Sequence, residues 1–162
     1  MHSTIFQIST KPIPENEWVE PERFFEELSW SFDSVGEEAL DSAEREERIT
    51  NFFSYFNELF EYNGNNEIVF KGIKVEFLRK WARAINVKAF AVDEDNVLQY
   101  GIRRDIERVL TQTHKGGDCR FYIPEWDGGE KSHPIVGLIS WLADYVKEGS
   151  KLYVGAAIDF HI

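Results

Sequence analysis

The side chains best suited to act on a substrate or to hold a metal are His114, Cys119, His133, Asp159 and His161. A thiolate nucleophile needs a neighbouring base or cation to lower its pKa, and histidine supplies either. His114 precedes Cys119 across Gly116-Gly117, and His133 follows beyond the next loop, so the sequence allows a small enzyme built on a thiol–imidazole pair. No nucleophile elbow or protease signature surrounds these residues. Cys119 also shares strand parity with Phe121 and Ile123, which predicts a small core residue instead.

Asp159 and His161 are two apart on an alternating run, on the face opposite Ile158, Phe160 and Ile162. Two such side chains can pair as base and orienter, or share a metal. A third ligand would have to come from His2, His114 or His133. The chain has no His-Glu-x-x-His pattern and a single cysteine, so no metal and no cofactor is expected. The pair is expected to decorate the solvent side of a sheet. The run Gly128-Gly129-Glu130-Lys131-Ser132 resembles a phosphate loop only superficially. Glu130 and Glu125 stand where a Walker A loop needs glycine, and Asp127 and Glu130 would repel a phosphate, so nucleotide binding is rejected there. The loop is still a reasonable contact point for a ligand or partner. No carboxylate pair stands out as a glycosidase pair among so many acidic residues. No catalytic residue is assigned, and no motif assigns a family.

Charge carries a clearer signal than catalysis. Residues 1–62 hold 15 acidic and 4 basic side chains, whereas residues 63–162 hold 14 of each, so the whole net charge of −11 belongs to the first part. Between Glu15 and Glu47, thirteen carboxylates face only Arg23 and Arg45. This opposes direct nucleic-acid binding by that part, because phosphate contacts need cations, and favours a basic protein surface as partner. The plain alternative is a solvated face that keeps the chain soluble. Trp18, Phe24, Phe25, Leu28, Trp30 and Phe32 are threaded through the acidic stretch, however, and a solvating tail would have few aromatics. The expected partner-binding carboxylates are Glu26, Glu27, Glu37, Glu38, Asp41, Glu46 and Glu47. Between residues 71 and 115 the sign reverses, with ten cations against six carboxylates. The basic face of Arg79, Lys80, Arg83, Arg103, Arg104 and Arg108 could hold an acidic ligand. Its first expected use is to receive the acidic segment of the same chain.

Several elements must position these groups. Thr4–Ile8 reads as a strand, broken at Pro12 and Pro14. Pro21 suits the first turn of a short helix, with Phe24, Phe25 and Leu28 on one side and Glu22, Glu26 and Glu27 outward. A long helix is predicted from Asp41, which forms a capping box with Glu44, to Tyr62, with Asn63-Gly64 as its stop. Ile49, Phe52, Phe53, Phe56, Leu59 and Phe60 form its apolar stripe. Glu67–Phe70 reads as a strand. The spacing of Leu78, Trp81, Ala82 and Ile85 predicts a helix over 74–86, although Ile73, Val75 and Phe77 also allow a hairpin, and Lys88–Val92 fits a strand or a helix extension. A helix from Asp93–Asn96 presents Ile102, Ile106, Val109 and Leu110 inward. Cys119–Ile123 is a strand, and a helix starts at Pro134 with Ile135, Leu138, Ile139, Leu142 and Val146 as its stripe. Leu152, Val154, Ala156, Ile158, Phe160 and Ile162 alternate along a last strand, predicting one buried face.

Strict βα alternation is absent, which favours a single α+β domain over residues 1–162 with a mostly antiparallel sheet of about four strands and flanking helices. The strands at either end should lie in one sheet, side by side. At 43% hydrophobic and 15% aromatic residues the chain is not a disordered type. No apolar run approaches the ~18 residues of a membrane span, and no signal peptide opens the chain. One cysteine agrees with a reducing cytoplasm. The expected function is a non-enzymatic acidic interaction protein. In one form, its carboxylates would imitate a nucleic-acid backbone and so inhibit a basic protein; this form rests on analogy of charge alone.

Overall fold

The computed structural model describes residues 2–24 and 40–161. Its strands are β1 (His2–Ser9), β2 (Phe60–Tyr62), β3 (Glu67–Phe70), β4 (Arg120–Tyr122), β5 (Ser132–Pro134) and β6 (Lys151–His161). The described α-helices are α1 (Ser42–Tyr55), α2 (Val75–Phe90), α3 (Tyr100–Gln112) and α4 (Ile135–Tyr145). The fold is α+β, as expected, but the sheet has six strands in the order β2-β3-β6-β1-β4-β5 rather than about four. It is also mixed: β1 and β4 run parallel, and the other neighbours are antiparallel. The additional strands β2 and β5 have three residues each, too short for alternation to mark them. The strands nearest the two ends, β1 and β6, do lie side by side.

Helix α1 starts where its cap predicts. Asp41 Oδ1 accepts from the backbone N–H groups of Ala43 and Glu44 at 2.8 and 2.9 Å. The helix stops at Tyr55 rather than Tyr62, because the chain turns through residues 56–59 into β2. Phe56, Leu59 and Phe60 remain fully buried through that change of backbone, so their apolar spacing could not reveal it. Asn63-Gly64 therefore belongs to the β2–β3 hairpin, where Gly64, Asn65 and Asn66 all have positive φ. Helix α2 runs unbroken to Phe90, which settles the hairpin alternative and makes Lys88–Phe90 a helix extension. Helix α3 begins at Tyr100, later than predicted, because Asp93 Oδ1 accepts from the N–H groups of Asp95 and Asn96 and holds a turn there.

The main core lies on one face of the sheet, under α1 and α4. It joins Phe6 and Ile8 of β1 to Phe52, Phe53 and Phe56, to Phe121, and to Leu138 and Leu142. The Phe52 ring stacks on Phe56 at 4.8 Å and meets Phe6 at 5.3 Å. A second, smaller core lies on the opposite face. Ile5, Ala156, Ile158 and Phe160 are covered there by Phe24, with Trp18 and Val19 packed alongside.

The single buried face expected for the last strand is thus corrected to two. Phe6 pairs with Ala157 but Ile8 with Val154, so Gln7 alone faces Gly155 and Ala156. This β-bulge inverts side-chain parity: Leu152 and Val154 enter the main core, and Ala156, Ile158 and Phe160 enter the second. Gly155 has no side chain to spare, since a Cβ there would come within 2.5 Å of Gln7 Oε1. Gln7 completes the bulge. Its Oε1 accepts from Ala156 N at 3.1 Å and Val19 N at 3.0 Å, while its Nε2 donates to Glu17 O at 3.1 Å.

Arg45, buried on α1, serves the other edge of the same bulge. Its Nε donates to Gly155 O and its Nη2 to Val154 O, both at 2.8 Å, and Nη2 bonds Gly155 O as well. Nη1 donates to Asn66 Oδ1 at 2.6 Å, and the guanidinium lies over the Trp18 ring at 4.4 Å. No described helix is long and apolar enough to cross a membrane.

Two substitutions test this account. Arg45→Met keeps the bulk but strands the bulge carbonyls, and is expected to cost about 3 kcal/mol in denaturant titration. Phe56→Ala empties a site that is 1% exposed and is expected to cost about 3–5 kcal/mol. A loss below about 1 kcal/mol for Phe56→Ala would mean that the ring is not a core contact.

Candidate functional site

Of the expected partner-binding carboxylates, Glu26, Glu27, Glu37 and Glu38 lie outside the described residues, as do the neighbouring aromatics Phe25, Leu28, Trp30 and Phe32. The other three are placed on α1. Asp41 is its cap and is exposed, and Glu46 and Glu47 are exposed in its first two turns. Glu46 Oε1 accepts from the Tyr62 hydroxyl at 2.5 Å. Burial first, and then that carboxylate, push the Tyr62 phenol up to about 12.

The contact of Trp18 with Arg45 brings a second acidic stretch to α1. Residues Glu15–Glu17 and Pro21–Phe24 form short 3-10 turns that leave Glu15, Glu17, Glu20 and Glu22 exposed. Two carboxylate groups, distant in sequence, therefore flank one stacked Trp–Arg pair. The carboxylates expected to bind a partner included the later group but not the earlier one, for which Trp18, placed among the acidic residues, was the signal.

Arg23 and Arg45 are both directed at main-chain carbonyls, while Arg48 of α1 faces Asp159. Arg45 bonds Val154 and Gly155 as described. Arg23 Nη2 donates to the carbonyl oxygens of Gly129 at 2.7 Å and Glu130 at 2.9 Å. Burial lowers the Arg45 pKa, against the attraction of Glu46, Tyr62 and Glu15. Both guanidinium groups keep their charge beside the carboxylates but are fixed in place by the fold.

The basic middle of the chain was expected to receive the acidic segment. Among the described residues its ion pairs go elsewhere. Lys80 meets Glu58 at 2.5 Å, Lys88 meets Asp105 at 2.7 Å, Lys74 meets Glu148 at 2.5 Å, and Arg79 meets Glu76 at 3.6 Å. Arg108 lies 3.9 Å from Asp118. Glu58, drawn on by Lys80 and Lys115, is held below the usual carboxylate range.

Among the described residues, each of the thiol and imidazole candidates meets other groups. Cys119 packs against the main core, and burial pushes its thiol up, opposed by the Thr4 backbone and the Ser3 hydroxyl. That is the reverse of the activation a thiolate nucleophile requires. His114 meets the Phe77 ring at 4.9 Å, with Nε2 4.0 Å from Glu58. His133 lies against Trp126 at 4.3 Å, with Nε2 3.0 Å from Asp127 Oδ2. Asp127 reaches it from a left-handed run with Gly128 and Gly129, the loop that Arg23 clamps. Asp159 is not on a solvent face. It points to the helix-covered side, where Arg48 Nη2 lies 3.5 Å away, because the bulge has inverted the parity. His161 pairs with His2 in the register of β6 and β1, and the side chains of both lie outside the description. Among the described residues, no three histidine, cysteine or carboxylate side chains gather as a metal site.

Burial lowers the pKa of both His114 and His133. A histidine depressed in the folded state takes up its proton first in the unfolded chain, so stability is full above the unfolded pKa and is lost as pH falls through it. The melting temperature is expected to fall between about pH 7.5 and about pH 5.5, and less steeply in a His114→Gln/His133→Gln variant. Parallel pH profiles for the two proteins would overturn this reading.

Comparison of the chain with protein-family models, with curated proteins and with solved structures found no match.

Proposed function

We propose that this chain is a non-enzymatic interaction protein whose acidic surface binds a basic protein. The described part of that surface comprises Glu15, Glu17, Glu20 and Glu22 beside Asp41, Glu44, Glu46 and Glu47. The observation that carries the reading is the exposure of all eight of these carboxylates around only two cations, Arg23 and Arg45, both anchored on backbone carbonyls of the fold. A surface of that kind speeds and steers encounter with a cationic partner more than it adds contact energy. A narrower form of the proposal is a carboxylate array occupying a groove built for a nucleic-acid backbone.

Titration with an oligo-lysine peptide tests whether position or only total charge matters. Replacing Glu17, Glu20, Glu44 and Glu47 by Gln takes the net charge from −11 to −7. A control with Glu61→Gln, Glu94→Gln, Asp95→Asn and Asp144→Asn makes the same change at other exposed positions. The first variant should bind the peptide roughly tenfold more weakly at physiological ionic strength, and the control should bind almost as the wild type does. Neither should melt differently, since exposed carboxylates contribute little to folding. Equal losses in both variants, or a loss in neither, would overturn the proposal.

A further inference from the structure

We infer that the outer face of α2 docks an acidic amphipathic helix from a partner protein. Only Phe77 of α2 is buried. One seam of the helix faces α3, where Trp81 Nε1 donates to Val109 O at 2.7 Å and Lys88 pairs with Asp105. Beside that seam runs a second apolar stripe. Val75, Leu78, Ala82, Ile85 and Ala89 recur at the three- and four-residue spacing of a coiled-coil seam. Val75 is 63% exposed and Leu78 45%, Ala82 and Ala89 are exposed, and Ile85 is half-buried. Phe90, at 95% exposure, extends the apolar surface at the end of the helix. An isolated surface apolar residue needs no explanation, but a stripe at heptad spacing is the form in which helices recognise one another.

Charge selects the occupant. Arg79 is exposed at a position flanking the stripe and Arg83 is exposed one turn on, further round the helix, and Glu76, 3.6 Å from Arg79, is the one carboxylate on α2. A second copy of this chain, docked symmetrically through α2, would bring together two faces that each carry Arg79 and Arg83 and a single carboxylate, Glu76. A helix with apolar residues at heptad spacing and carboxylates beside them satisfies both features. This surface is separate from the acidic one: it would attract an acidic ligand to a protein whose net charge is −11.

The test uses the full chain and two synthetic helical peptides with leucine at the heptad core positions, one flanked by glutamate and one by lysine. In fluorescence anisotropy the glutamate peptide should bind, and the lysine peptide should bind the α2 face at least tenfold more weakly. That face is isolated by subtracting the binding that remains in Leu78→Asp, which should lose the glutamate peptide. Arg79→Glu/Arg83→Glu should reverse the preference. All three positions are exposed, and unchanged melting would confirm that the variants fold. The inference is overturned if the wild type fails to bind the glutamate peptide, or if Leu78→Asp binds it equally well. A wild-type dimer in sedimentation that Leu78→Asp abolishes would assign the face to a second copy instead. Binding that emerges only after Glu26, Glu27, Glu37 and Glu38 are changed to Gln would assign it to the chain's own acidic stretch. Failure with oligo-lysine would leave this result untouched, so the two proposals fall separately.

Discussion

The bulge at Gly155 is held from both edges of β6, by Gln7 on one side and Arg45 on the other, and both cores depend on it. Without the inserted residue, Ile158 and Phe160 would follow Leu152 and Val154 to one face, and the second core would have no floor. Burying a guanidinium costs several kcal/mol in lost hydration. Four hydrogen bonds, each worth about 1.5–3 kcal/mol when one partner is charged, together with the stack on Trp18, offset that cost. The same guanidinium ties α1, the β2–β3 hairpin and β6 together through Asn66, whose own carbonyl accepts from Val154 N.

This arrangement links the architecture to the charge distribution. Arg45 and Arg23 are positioned by structural needs of the backbone, one at the bulge and one at the loop carbonyls of Gly129 and Glu130. The surface around them stays acidic because the exposed carboxylates outnumber these two cations, whose positions the backbone fixes. In the basic middle, Lys80, Lys88 and Lys74 pair with Glu58, Asp105 and Glu148, while Lys71 and Lys115 donate to the carbonyls of Asn57 and Tyr55, and exposed apolar positions of α2 lie beside them.

Much of this was legible in the sequence. The Asp41 cap, the α4 stripe and the pairing of the two terminal strands followed from local signals that no tertiary contact overrode. The end of α1 was not legible, because Phe56, Leu59 and Phe60 keep facing the core while the backbone passes from helix to turn to strand. The bulge was hidden for a related reason. Gly155-Ala156-Ala157 offers small residues that satisfy either parity, so alternation read through it as if the strand were regular. Arg45 looked like a counter-ion in an acidic run, and nothing local distinguishes a counter-ion from a cap on distant carbonyls. The partners of Cys119 and of the two histidines depended on long-range packing that spacing does not encode.

The pairing of β1 with β6 also sets the order in which the sheet can assemble. His2 sits opposite His161 and Ile5 opposite Ile158, so the central ladder closes between segments made at the start and at the end of these 162 residues. β1 must wait for its β6 partner for about 7–30 seconds while translation at roughly 5–20 residues per second delivers it, although β4, its other neighbour, is made earlier. Closing so large a loop is slow by the usual dependence of folding rate on contact separation. The nascent chain therefore carries one edge of β1 unpaired, and open to aggregation or to chaperones, until residue 151 and those after it have emerged.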